Sequence, residues 1–326
     1  MSSKGPFVVK EIKGLDTGQQ LWGKFLILDK NVRKTKDGRE VINLKVGDQT
    51  GEIDVVLWDN CDIGGELNPN VVVGIQGDLG SYNNRLQITG KRVKALEDDI
   101  TPYLKGPAVA IEELIAEFRD IYDSISDLYI KGILDHIFTP SYSEDFYKSA
   151  AAKKVHHNYP GGLLEHTVQV AKICDQIARL YPYLNRDLLV AGAILHDIGK
   201  VEEYELAAVP EYTVSGRLVG HIVLGHEMVN EAIKTIKAEG QDFPEMLEIM
   251  VKHLVLSHHG SLEYGSPVVP LFPEALLLHM IDNLDAKLFV FRNKIEEDED
   301  GANPFTAYDS FFEQFFFKYR YREPGE

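Results

Sequence analysis

The apolar residues of this 326-residue chain change their spacing near residue 100, from every second residue to every third or fourth. Before that point, residues 52–59 alternate apolar and polar side chains, which predicts a strand with one buried face. After it, residues 162–181, 186–200 and 273–295 repeat apolar side chains at helical spacing. The chain is therefore predicted to contain a β domain followed by an all-α domain, and its length suits about two domains.

Five β-rich runs fill the first 96 residues, at 21–32, 39–46, 52–59, 71–79 and 86–96. Turn residues separate them, and the Asp37-Gly38 pair between the first two suits the positive φ angles of a hairpin turn. Five short strands with a break between the third and the fourth are typical of a small Greek-key barrel. We therefore predict an OB-type β-barrel, with another small barrel or a sandwich as the alternative.

The two periodicities divide the chain into four predicted segments. Residues 1–96 form the five-stranded OB-type barrel, residues 97–108 a linker, and residues 109–297 an all-α domain. Residues 298–326 begin with an acidic run, for which a solvated segment is expected, and end in an aromatic tail. We expect that tail to pack on the body of the protein or on another subunit of a homo-oligomer. The predicted fold class is multidomain α and β.

The net charge of −17 is distributed unevenly between the two domains. Residues 1–96 include 14 basic and 12 acidic residues, whereas residues 97–326 include 20 basic and 39 acidic residues. Proteins bind nucleic acids mainly through Lys and Arg. We therefore expect the barrel, and not the acidic helical domain, to capture a nucleic acid.

Cysteine content and apolar runs bear on the compartment in which the protein works. Two cysteines, Cys61 and Cys174, are too few for a disulfide framework or a cysteine-based zinc site, which indicates a reducing environment. The longest wholly apolar run, residues 188–195, is much shorter than the roughly 18 residues that span a membrane. The first residues lack the apolar core of a signal peptide. We expect a cytoplasmic protein with no membrane partner.

All eleven histidines lie between His136 and His279, in the predicted helical domain. Imidazole and carboxylate ligands suit manganese, iron or zinc, and separate helices can project them into one bundle interior. The His-Asp pair of the run LLVAGAILHDIGK would bury ionisable groups without a partner unless a cation is bound. The candidate ligands, on five helical segments, are His166, His196, Asp197, His221, His258, His259 and Asp282.

Part of this ordered set resembles the H…HD…D signature of the HD-domain metal-dependent phosphohydrolases. The matching residues are His166, His196, Asp197 and Asp282. The resemblance implies that residues 109–297 form an HD phosphohydrolase domain. Its divalent metal would then be held by the signature residues.

The remaining histidines resemble an extended form of this signature, which binds two metals. In that form, the resemblance implies that Asp197 bridges both ions and that His221, His258 and His259 hold the second. His226 is an alternative to His221, but the order of the motifs favours His221.

The arrangement of the whole chain resembles one family more closely. An OB-type barrel followed by an HD domain, with the leader VHHNYPGGLLEHT before the first ligand, is similar to the YhaM-type 3′-to-5′ exoribonucleases over nearly the full length. The resemblance implies an enzyme that uses manganese, with iron, zinc or magnesium as alternatives. It also implies action on single-stranded RNA and, in addition, on single-stranded DNA.

A two-metal site of this kind hydrolyses phosphodiesters without a side-chain nucleophile. Two cations about 3.5–4 Å apart can clamp the phosphodiester and activate a water between them. The predicted catalytic residues are Asp197, as the bridging carboxylate, and Lys200, as a cation for a non-bridging phosphate oxygen. Further substrate contacts in the helical domain are predicted for His156, His157 and Arg217.

The barrel supplies the candidate nucleic-acid interface. OB folds bind single strands by stacking bases on aromatic rings and by following the backbone with basic residues. The aromatic candidates are Trp22, Phe25, Trp58 and Tyr82, each of which could equally belong to the core. Trp58, on the strand face opposite the apolar residues, and Tyr82, in a polar turn beside Arg85, are preferred.

Two other functions are compatible with parts of the sequence. An HD phosphohydrolase could act on a nucleotide or a cyclic dinucleotide while the OB domain regulates it, although the GYP motif of cyclic-di-GMP enzymes does not follow HDIGK. Alternatively, a non-catalytic single-strand-binding protein could use its helical domain to assemble subunits. The complete ligand set favours the exoribonuclease.

Overall fold

The computed structural model of the chain describes residues 5–34, 38–82, 85–104, 106–107, 109–152, 159–206, 210–298, 303–310 and 312–318. The chain divides into two compact units. The first consists of Met1–Ala108 with Leu206–Glu211, and the second of Val109–Glu205 with Tyr212–Glu326. Each unit has a hydrophobic core of its own.

The first unit is a β-barrel whose five strands close on themselves. After a short helix α1 (Val9–Ile12), the strands are β1 (Gln20–Lys34), β2 (Glu40–Asp48), β3 (Gly51–Gly64), β4 (Val72–Tyr82) and β5 (Arg85–Leu96). Their order is β1-β2-β3-β5-β4, and β4 pairs back with β1. The β3 and β5 strands are parallel, while the other neighbouring pairs are antiparallel. This confirms the OB-type barrel, because closure leaves no pair of separate sheets.

Alternation along the strands separates the core of the barrel from its outer wall. In β3, the side chains of Ile53, Val55 and Leu57 are buried, whereas Trp58 is 38% exposed. In β1, Phe25 is fully buried. Phe25 therefore belongs to the core, and its candidacy as a stacking platform is wrong because no face of its ring is accessible.

The described residues of the second unit are all-α apart from isolated bridges, as predicted. Its helix α6 (Arg186–Leu195) lies in the middle of the core, and each of residues 188–195 is buried, which explains the longest apolar run of the chain. The other helices are α2 (Ile111–Asp123), α3 (Leu128–Ile137), α4 (Pro140–Lys148), α5 (Gly162–Leu180), α7 (Lys200–Glu203), α8 (Val214–Leu218), α9 (His221–Ala238), α10 (Glu245–Ser257) and α11 (Pro273–Glu297).

The α6 helix ends earlier than its apolar spacing predicts. Instead of one helix over residues 186–200, the chain leaves α6 at Leu195 and turns through residues 196–199. A methyl group on Gly199 would lie 2.1 Å from the carbonyl oxygen of His221, so only glycine allows the turn to approach α9 this closely. The hydroxyl of Tyr142 donates to the Ile198 carbonyl at 2.7 Å. The His-Asp pair therefore lies in a turn fixed between α4 and α9.

The described part of the aromatic tail packs on the helical unit. Phe316 is buried, and its ring centroid lies 4.4 Å from that of Phe291 on α11. Residues 299–302, in the predicted acidic run, lie outside the described residues. Among the helices of the described residues, none is long and apolar enough to cross a membrane.

Candidate metal centre and nucleic-acid interface

The helical unit brings the seven predicted metal ligands together. They come from the first two turns of α5, the turn after α6, the first residue of α9, the end of α10 and the middle of α11. Their ligand atoms form two groups, in each of which three atoms lie within 4.8 Å of one another. The first group contains His166, His196 and Asp197, and the second contains His221, His258 and His259.

The first group is completed by a carboxylate of α11. Nε2 of His166 lies 3.2 Å from Nε2 of His196 and 3.2 Å from Oδ1 of Asp282. Nε2 of His196 lies 3.2 Å from Oδ2 of Asp197. Two imidazole nitrogens and two carboxylate oxygens therefore converge on one point.

Asp197 connects the first group with the second. While its Oδ2 faces His166 and His196, its Oδ1 lies 3.5 Å from Nε2 of His221 and 3.6 Å from Nε2 of His258. One carboxylate thus presents a different oxygen to each group. This is the geometry that a carboxylate needs in order to contact two cations at once.

Three of the five histidines are oriented by main-chain carbonyls. Nδ1 of His196, of His258 and of His259 lies 2.7–2.8 Å from a carbonyl oxygen. A carbonyl oxygen only accepts, so Nδ1 carries the hydrogen and Nε2 of the neutral ring keeps its lone pair. The accepting carbonyls belong to Ala193, Val255 and Tyr264.

The other two histidines are oriented by carboxylates, one in each group. Nδ1 of His166 lies 2.7 Å from Oδ2 of Asp285, and Nδ1 of His221 lies 3.1 Å from Oε1 of Glu203. Glu203 also accepts from the backbone N–H of His221. A carboxylate behind a ligating imidazole fixes the ring and raises its basicity.

Three buried polar atoms of the cluster make no hydrogen bond within the described part of the chain. They are Oδ1 of Asp197, Nε2 of His221 and Nε2 of His258. Unpaired buried polar groups are costly. A divalent cation would satisfy all three, so these residues fit a metal ion.

The carboxylates of the cluster remain ionised. Burial by itself would raise the pKa of Asp197, but Lys200 and His196 outweigh burial and hold the pKa well below its usual range. Burial also opposes ionisation of Asp282, whose pKa is nevertheless far below normal because His166 and His196 lie beside it. Both carboxylates are therefore in the form that binds cations.

The imidazoles differ in their proton affinity. Burial lowers the pKa of His258 and of His259, which keeps both rings neutral at neutral pH. Burial also lowers the pKa of His166, but hydrogen bonds with Asp282 and Asp285 outweigh it and raise that pKa to about 10. A cation in the first group therefore has to displace a proton from His166.

Lys200 lies directly beside Asp197. Its Nζ donates to Oδ2 of Asp197 at 2.6 Å, and the lysine side chain is buried. In the described geometry the ammonium group thus balances the charge of the carboxylate. Its contact with a phosphate oxygen stays a prediction.

Among the described residues of the helical unit, the candidates Arg217 and His226 belong to neither group. Arg217 is exposed on α8, and its Cζ lies 5.1 Å from the ring centroid of Tyr212. His226 lies on α9 outside the two groups, and His221 is the histidine of α9 that belongs to the second group. The predicted substrate contacts His156 and His157 lie outside the described residues.

The preferred residues of the barrel are accessible. Tyr82 is 63% exposed and is paired with Arg85 at the end of the β4–β5 hairpin. These two residues line a concavity of about 360 Å³ together with Asp54 and Gln87. The exposed Trp58 lies outside the lining of this concavity.

The sequence analysis did not identify two candidate functional residues, Asp285 and Glu203, which orient His166 and His221. Asp285 follows Asp282 by three residues on α11, and this helical spacing could have shown that both carboxylates reach His166. Glu203 carries no such signal, because only the packing of α7 against α9 brings it to His221.

Comparisons with known proteins agree with this organisation. Residues 163–287 match the HD domain family, and residues 30–96 match the family described as OB-fold nucleic acid binding domain. A protein of Oceanobacillus iheyensis named 3′-5′ exoribonuclease YhaM is 33% identical over 289 residues, which cover 87% of this chain and 89% of the relative. Proteins of the same name from Bacillus velezensis and Shouchella clausii are 34% and 32% identical, over 88% and 90% of this chain and 91% and 92% of their own lengths.

Proposed function

We propose that this chain, which belongs to the YhaM family of 3′-5′ exoribonucleases, is a metal-dependent hydrolase that removes nucleotides from the 3′ end of single-stranded RNA. The observation that carries the chemistry is the position of Asp197, which presents one oxygen to each of two histidine groups. The 3′-to-5′ polarity and the RNA substrate are proposed from membership of this family.

The proposed ligands of the first ion are His166, His196, Asp197 and Asp282. Those of the second are His221, His258 and His259, with Asp197 shared. Manganese is the favoured ion because the resemblance to the YhaM-type enzymes implies it. Imidazole with carboxylate suits iron and zinc as well as manganese, so these two metals and magnesium are the alternatives. Two bound cations would neutralise the phosphodiester and lower the pKa of the attacking water.

The residues of the chain prepare the site for this chemistry. The ionised Asp197 and the three histidines bonded to main-chain carbonyls hold their geometry through hydrogen bonds that are already formed, so little reorganisation is needed. Lys200 keeps Asp197 in place and lies where it can also approach a phosphate oxygen of the substrate. Arg217, with Tyr212 beneath its guanidinium, is proposed as an outer contact for the strand, as are His156 and His157.

The barrel is proposed to capture the strand. Trp58, Tyr82 and Arg85 supply two exposed rings and a guanidinium for bases and phosphates. These contacts do not depend on the 2′-hydroxyl, so single-stranded DNA is proposed as a further substrate.

The test is cleavage by metal-stripped protein to which Mn²⁺, Mg²⁺, Zn²⁺ or Fe²⁺ is added back separately. A 5′-labelled single-stranded RNA should shorten stepwise from its 3′ end and release mononucleotides, fastest with Mn²⁺. Cuts within a circular RNA would show an endonuclease and overturn the exonuclease proposal. Hydrolysis of nucleotides or cyclic dinucleotides without any loss of RNA would favour the phosphohydrolase alternative.

A further inference from the structure

The outer wall of the barrel has a second concavity, of about 320 Å³, whose lining contains none of Trp58, Tyr82 and Arg85 but does contain Trp22, the remaining accessible aromatic candidate of the sequence. Its lining comes from β1, β4 and β5 and consists of Trp22, Gly74, Ile75, Gln76, Arg92 and Lys94. We propose that this concavity, the Trp22 site, binds one nucleotide of single-stranded RNA. The base stacks on Trp22, and the adjoining phosphates contact Arg92 and Lys94. The proposal rests on the exoribonuclease function and adds a second contact surface for the same substrate.

Strand register places the residues of the Trp22 site side by side. Trp22 of β1 is paired with Gln76 of β4, which is paired with Arg92 of β5. In the next row, Gly74 of β4 is paired with Lys94 of β5. Because strands lie about 4.8 Å apart, the backbones of the tryptophan and the arginine are separated by about 10 Å. An aromatic surface and two cationic groups therefore border a space two strands wide.

Gly74 keeps this space open. A methyl group on Gly74 would meet no atom closer than 3.7 Å, the distance to Cδ1 of Leu96. The backbone there has no positive φ that would require glycine. The missing side chain is therefore not needed for the fold, and what it provides is room on the barrel surface.

The N-terminal segment packs beside Trp22 on one side. The backbone N–H of Phe7 donates to the Trp22 carbonyl at 3.0 Å. Gly5 packs so closely that an added methyl group would lie 3.1 Å from Cδ1 of the indole. A close neighbour limits the rotamers of the indole, so less conformational entropy is lost when a base stacks on it.

The cationic side of the Trp22 site can be released for phosphate. Arg92 is paired with Asp62 at 2.8 Å, but both side chains are about two-thirds exposed. Exposed ion pairs of this kind are weak, so a phosphate can exchange for the aspartate. Lys94 is exposed in the next row of the same strand and adds a second cation.

The two tryptophans of the chain make the proposal directly measurable. They are Trp22 and Trp58, so the variant Trp58→Phe leaves Trp22 as the sole indole fluorophore. This variant should be titrated with a 12-nucleotide oligoadenylate in EDTA, which prevents cleavage. We expect saturable quenching of Trp22 fluorescence with the same Kd that anisotropy of labelled RNA gives. RNA binding without quenching would overturn the proposal.

Substitutions in the full-length chain provide an independent test. Trp22→Ala should raise the Kd for the oligoadenylate by about 5- to 150-fold, the range for loss of one stacked base. Gly74→Val should fill the concavity and raise the Kd while preserving the melting temperature, since valine suits a strand. Gly74→Ala should have a smaller effect. Tyr183→Ala, at an exposed aromatic residue of the helical unit, is the control and should leave the Kd unchanged.

Salt dependence separates the phosphate contact from the stacking. Lys94→Gln should reduce the slope of log Kd against log salt concentration by about 0.7, as expected for one lost phosphate contact with a single strand. If the unsubstituted protein neither binds nor shortens RNA with Mn²⁺, the exoribonuclease function itself fails. If it does both, and Trp22→Ala and Gly74→Val bind RNA as tightly, the Trp22 site alone is overturned.

Discussion

Glu203 holds the proposed metal ligand His221 in position through two hydrogen bonds. Its Oε1 accepts two hydrogen bonds from His221, from Nδ1 and from the backbone N–H, both at 3.1 Å. Burial would raise the pKa of Glu203, but the bonds with His221 outweigh burial and lower it. The carboxylate is therefore ionised throughout the neutral pH range, and it supports the imidazole with a full charge.

We expect Glu203→Ala to weaken binding of the second ion selectively. Hydrogen bonds to a charged group contribute about 1.5–3 kcal/mol, which agrees with the loss of about 10- to 100-fold in metal affinity when a residue behind a ligand is removed. Glu203→Gln keeps an acceptor oxygen but loses the charge, so its loss should lie at the lower end of that range.

The assay is Mn²⁺ stoichiometry by elemental analysis, combined with a chelator competition titration. The unsubstituted protein should bind two ions per chain tightly, whereas Glu203→Ala should bind one ion tightly and one weakly. The matched control is Glu202→Ala, because the neighbouring Glu202 is exposed and should leave both ions in place. Two ions bound to Glu203→Ala with affinities within about twofold of the unsubstituted protein would refute the role assigned to this carboxylate.

Three further predictions concern the shared ligand, the substrate and the fold. Asp197→Ala should abolish RNA hydrolysis and lower the metal content while the fold persists; turnover above about a tenth of the unsubstituted rate with Mn²⁺ would contradict this. A 5′-labelled RNA hairpin with a 3′ tail should be shortened to near the base of its stem, because opening costs about 1.4 kcal/mol per base-pair step; gel products that end deep in the stem would contradict it. Burial would raise the pKa of Asp187, but hydrogen bonds from Ser126 and Asp127 outweigh burial and lower it. The ionised carboxylate therefore stabilises the fold at pH values above the ordinary aspartate pKa. This stabilisation is lost as the pH falls through the lowered pKa of the folded protein. Asp187→Asn should therefore reduce the free energy of unfolding by about 1–2 kcal/mol at pH 7 and by much less at pH 3 in urea titrations, and an equal loss at both pH values would contradict it.

The architecture could be predicted because each unit has one dominant periodicity. Two-residue alternation with turn residues between the strands predicts the barrel, and buried helical runs predict the α domain. The convergence of the candidate ligands could be predicted in outline because histidine and aspartate rarely occur inside apolar helices without a reason. The same argument identified His196 and Asp197 within a run that is buried almost completely.

Features that depend on contacts between distant segments could not be predicted. The end of α6 is set by the approach of Gly199 to α9, which apolar spacing does not reveal. Glu203 resembles any other acidic residue of a charged stretch until α7 packs against His221. Phe25 and Trp22 are both large aromatic residues of β1, so the residue type does not distinguish them. Only the closed barrel shows that Phe25 points into the core and Trp22 to the outer wall.

The hydrogen-bond partners of the five imidazoles determine which substitutions can change the metal affinity of the proposed site in small steps. Three rings are bonded to main-chain carbonyls, which no side-chain substitution can delete. The two rings backed by Asp285 and Glu203 depend on groups that a single codon change can remove. Natural variation or laboratory evolution can thus adjust the affinity for each of the two proposed ions separately through these two carboxylates, while all the proposed ligands are retained.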